Sequence, residues 1–120
     1  MAKHLLSCAS AHSDNIQLLQ EQKGRDVSSL YPVMGYFKVG GQAYSSAQFA
    51  DSTYSALREV SRNRLQEALS APASESASKF KAFGDDLKRT LLECADFQRK
   101  NAAVITARIK SSGILETTPP

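Results

Sequence analysis

The sequence predicts a mostly α fold of three helices. The last is long and pairs with the second in an elongated helical hairpin, and a small β-hairpin is inserted between the first and second. Three observations carry this expectation. Ala and Ser supply 32 of the 120 residues, whereas Leu, Ile, Val and Phe together supply only 26, a composition that suits helices packed through small side chains. Apolar residues recur at steps of three and four over most of the chain, which is the helical period. Only one short stretch, around Gly40-Gly41, reads as strand.

The first helix is expected from about Ala2 to Lys23, with Leu5, Cys8, Ala9, His12, Ile16 and Leu19 on one face and Gly24 as its stop. A polar joint follows, and Pro32 forces the residue before it out of helical geometry. From Tyr36 to Tyr44, two β-prone runs flank Gly40-Gly41, whose tolerance of positive φ suits a two-residue hairpin turn.

Ser45 and Ser46 offer caps for a second helix from about Ala47 to Leu69, and Ser70 to Ser76, with Pro72 inside it, reads as the turn after it. The last helix is expected over about 78–111. Its apolar stripe, Phe80, Phe83, Leu87, Leu91, Cys94, Gln98, Ala102, Ile105 and Ile109, repeats every 11 residues, which keeps it nearly straight along the axis. Such a helix is about 50 Å long, while a compact globule of this chain length has a radius of gyration of only about 14 Å. Elongation follows, unless the helix breaks at Gly84. Residues 1–113 read as one helical domain with the hairpin insert at about 33–45, and 114–120 as a polar tail.

Composition and charge exclude several classes. No apolar run approaches the roughly 20 residues that a bilayer requires, so membrane insertion is not expected. Two cysteines do not make the disulfide framework of a small secreted domain. Leu5-Leu6-Ser7-Cys8 looks like a lipoprotein cleavage box, but too few residues precede it for a signal segment. The chain is therefore read as cytoplasmic, or as part of a particle assembled there.

His4, Cys8 and His12 fall at i, i+4 and i+8 of the first helix and invite a metal reading. The outer two are about 12 Å apart along the axis, too far for one ion. Gly35 to Gly41 has the glycine spacing of a phosphate loop, but Gly41 stands where a lysine is required. No nucleophile elbow is present. The sequence assigns no catalytic, cofactor-binding or metal-binding residue, and a small metal protein or enzyme is the weakest reading.

Partner contacts are more legible. Six of nine aromatics lie between residues 31 and 54, and Tyr is a favoured anchor at protein contacts. Tyr31, Tyr36, Phe37 and Tyr44 are therefore contact candidates on the hairpin. Phe97 and Val104 join them as a second apolar flank on the last helix, since two apolar faces call for two neighbours. Lys81, Lys88, Arg99 and Lys110 project within a band of about 40° and form a basic ridge beside the stripe. The net charge is only +3. The function expected is a non-enzymatic structural or adaptor subunit of a larger assembly, binding a protein partner or a second copy. The alternative is a nucleic-acid-binding helical protein that sets the ridge against phosphates.

Overall fold

A computed structural model describes residues 1–21 and 25–114. They form four α-helices and no strand: α1 Ala2–Glu21, α2 Tyr31–Ala43, α3 Ala47–Ser70 and α4 Ala73–Ser112, with a 3-10 turn, Ser28–Leu30, leading into α2. The Gly24 stop and all of the expected tail except Ile114 lie outside the described residues.

The expected β-hairpin is absent, and the fold has four helices where three were expected. The hairpin segment is α2. Pro32 opens it, a position where its missing N–H costs nothing. Val33, Phe37, Gly40 and Tyr44 follow at helical steps. Gly40 and Gly41 serve close packing instead of a turn, since neither adopts positive φ. A Cβ on Gly40 would lie 3.2 Å from Leu5 Cδ1, and one on Gly41 only 2.5 Å from Leu6 Cγ. Their bare backbone lets α2 lie directly against α1.

Ser46 caps α3, its hydroxyl accepting from the Phe49 N–H at 3.1 Å. The break after α3 is shorter than expected, because Pro72 is already the residue preceding α4. α4 runs unbroken through Gly84 for 40 residues and ends at Gly113, which takes the left-handed conformation at φ 74°. The molecule measures 51 × 28 × 28 Å, with a radius of gyration of 15.8 Å.

α1 is the central helix. Leu5, Leu6 and every residue from Cys8 to Ala11 are buried, so α1 is covered on more than one side. Paired contacts give the directions: Phe37 meets His12 and Gly41 meets Leu6, so α2 runs antiparallel to α1. Arg58 and Ser61 meet Ser10 and Asp14, so α3 runs parallel to it. Arg64 meets Asp86 and Ala68 meets Ser76, so α3 and α4 form an antiparallel hairpin.

The buried stripe of α4 divides between two clusters. Phe83 and Leu87 pack with Ala11, Leu18, Leu65 and Leu91 at one end. Cys94, Ile105 and Ile109 pack with Leu5, Ala9 and Phe37 at the other. Ala102 and, at its edge, Phe80 remain exposed.

Cys8 and Cys94 are joined in a disulfide between α1 and α4, 86 positions apart in sequence. The expectation of no disulfide staple is corrected here. Sequence spacing carries no hint of this pair, which is set by the antiparallel seating of α4 on α1. Closing so long a loop removes about 4–5 kcal/mol of unfolded-chain entropy in the chain-entropy model.

Candidate functional site

The most polar part of the interior lies between α1 and α3. Buried Asp14 accepts from Arg58 Nη1 at 2.6 Å and from the Ser61 hydroxyl at 2.9 Å. The same Arg58 nitrogen donates to the Ser10 carbonyl at 3.0 Å. Both carboxylate oxygens are thus occupied, and the arrangement clamps two helices together without a free base. A cleft of about 170 Å³ opens beside it towards Asp86 and Thr90. There the Arg64 hydrogen bond holds Asp86 below the usual carboxylate range. No serine of this group hydrogen-bonds a histidine among the described residues.

The two histidines lie against aromatic rings. His4 packs on Phe97 with ring centroids 4.1 Å apart, and His12 stacks on Phe37 at 5.5 Å. Buried His12 Nδ1 has no hydrogen-bond partner among the described residues, and burial pushes the imidazole below its ordinary value of 6.5. Cys8, between them in sequence, is bonded to Cys94 and has no thiolate to offer a metal.

The predicted contact aromatics are split by the fold. Phe37 is in the core. The Tyr36 hydroxyl donates to the Ala102 carbonyl at 3.4 Å and that of Tyr44 to the Val104 carbonyl at 3.5 Å, so both tie α2 to α4. Tyr31 is exposed and accepts from Gln20 Nε2 at 3.2 Å. Phe97 is half-buried against the core and the His4 ring, while Val104 is 57% exposed.

The basic ridge is partly neutralised. Lys81 pairs with Asp85 at 2.8 Å, and Arg99 pairs with Asp96, which also holds Lys100 at 2.9 Å. Lys88 and Lys110 are exposed and have no ion pair among the described residues.

Two clefts that sequence reasoning missed flank the last turns of α1. One, of about 310 Å³, lies between α1 and α3, with Leu18, Leu65, Leu69 and Phe80 as its apolar lining and Arg58 and Arg62 beside them. The other, of about 360 Å³, lies between α1 and α4 over Leu18, Leu19, Leu87, Leu91 and Leu92, where Gly84 leaves open space. Leu69 and Leu92 are 66% and 65% exposed. A signal was present: Leu18-Leu19 and Leu91-Leu92 are adjacent leucines, and adjacent positions on a helix point about 100° apart, so one neighbour cannot cover both.

No family model, curated protein or solved structure matches the chain.

Proposed function

We propose that this protein is a non-enzymatic structural or adaptor subunit that works by helix packing within a larger assembly. The observation that carries the reading is the pair of apolar clefts around the end of α1, bordered by Leu69 and Leu92. Burying a leucine is worth about 1.5–3 kcal/mol relative to leaving it in water, so two such residues beside preformed clefts favour association. The contact surface is moved from the aromatic segment, whose Tyr36, Phe37 and Tyr44 serve α2 packing, to this end of the bundle.

Leu69→Ser with Leu92→Ser is the direct test. The double variant should keep its helix content and lose association in sedimentation equilibrium. Unchanged association would contradict docking at this end.

Nucleic-acid binding through the ridge remains the second reading, resting on Lys88 and Lys110. Two free cations predict that such binding weakens with salt with a slope of about −2, and no measurable nucleic-acid binding at low salt would contradict it. No described helix is long and apolar enough to cross a membrane. The cytoplasmic setting expected from the sequence sits poorly with a buried disulfide, so the protein works as a particle component in a setting where thiols are oxidised.

A further inference from the structure

Cys8 and Cys94 are 1% and 2% exposed and lie in one cluster with Leu5, Ala9, Phe37, Ile105 and Ile109. Disulfides form and break through a mixed disulfide, in which the exchanging partner is bonded to one of the two sulfurs. Even a tripeptide thiol on either sulfur needs space that this cluster fills with side chains. Exchange at this pair therefore requires α4 to be lifted from α1.

We propose that the chain is a client of a disulfide-introducing oxidant that joins Cys8 to Cys94 before α4 seats on α1, and that seating then shuts reductants out. The oxidant is itself a disulfide, on a protein or on glutathione. A thiolate of the pair attacks it to give the mixed disulfide, and the second thiolate displaces the oxidant's sulfur. Two thiols are oxidised to one disulfide, and the two electrons and two protons convert the oxidant's disulfide to two thiols. Bridging the 86-residue separation requires an encounter of the first and last helices, and the oxidant reaches the sulfurs in that encounter only before the surrounding side chains close over them. Buried placement also makes the bond a permanent part of the fold and not a switch, since solvent access is what makes a disulfide labile.

Two measurements on the full-length protein test this. Protein taken from its native source, acid-quenched, denatured and treated with a maleimide-polyethylene glycol should carry no label. Labelling of both Cys8 and Cys94 would overturn the proposal. Purified oxidised protein should then be treated with dithiothreitol, in buffer and in urea. Reduction in buffer should be slower by about a hundredfold or more, as expected when a structural opening must come first. By microscopic reversibility, the same opening governs formation of the bond. Equal rates in the two solvents would mean that the sulfurs are reachable in the seated state, and would overturn the order proposed.

Discussion

Gly41 and Leu6 are in contact so close that any side chain on the glycine would collide with the leucine. A Cβ built there would lie 2.5 Å from Leu6 Cγ and 2.6 Å from Cδ2. Gly35, six residues earlier on the same helix, faces open space. Gly41→Ala should therefore destabilise the fold by about 1–2 kcal/mol net, overpacking outweighing the gain in helix propensity. Gly35→Ala should stabilise it by about 0.5–1 kcal/mol. Urea denaturation of the two variants checks the contrast, and a β-hairpin here would not produce it.

Asp14 is buried and held by Arg58 and Ser61, whereas the Asp86 pairs with Arg64 and Arg89 are open to solvent. Asp14→Ala should cost about 2–4 kcal/mol, because it strands a partly buried guanidinium. Asp86→Ala should stay within about 1 kcal/mol. Comparable losses in urea denaturation would mean that the α1–α3 clamp is not the stronger contact.

Burial lowers the His12 pKa below its ordinary value of 6.5. The unfolded chain then binds the proton more readily than the folded one. The His12 contribution is fully present above about pH 6.5 and is lost as the pH falls below it towards the lowered folded value. His12→Phe, which keeps a ring against Phe37, should flatten the stability–pH curve below about pH 6.5. An unchanged slope would assign that pH dependence to other groups.

Removing the Cys8–Cys94 bond should cost about 2–5 kcal/mol. Thermal denaturation of Cys8→Ala with Cys94→Ala checks it, and a midpoint within a degree or two of the parent would mean that the bond adds nothing to the fold.

Helix period and capping made much of this architecture legible. Ser46 marks the start of α3, Gly113 the end of α4, and the 11-residue stripe carries the buried Phe83, Leu87, Cys94, Ile105 and Ile109. Gly40-Gly41 was misread because sequence reports a glycine's conformational freedom more readily than the absence of its side chain. Here the missing Cβ atoms matter, and they matter only beside Leu5 and Leu6. The Cys8–Cys94 pair was hidden for the same reason, since it depends on which helices become neighbours. So were the clefts, which are lined jointly by α1 and α3 or by α1 and α4. The predicted aromatic surface failed to separate inward from outward residues: with a period of 3.6 in place of 2, Phe37 turns into the core and Tyr31 stays outside.

The mass of the native species decides whether this protein works as part of an assembly. Sedimentation of the wild-type protein from a gentle extract of its source, and of the purified protein across working concentrations, should show in at least one preparation a species well above the 13.0 kDa of a single chain. In that preparation the Leu69→Ser, Leu92→Ser variant should fall back to the single-chain mass. A 13.0 kDa monomer in both preparations at every concentration would contradict the proposed assembly role.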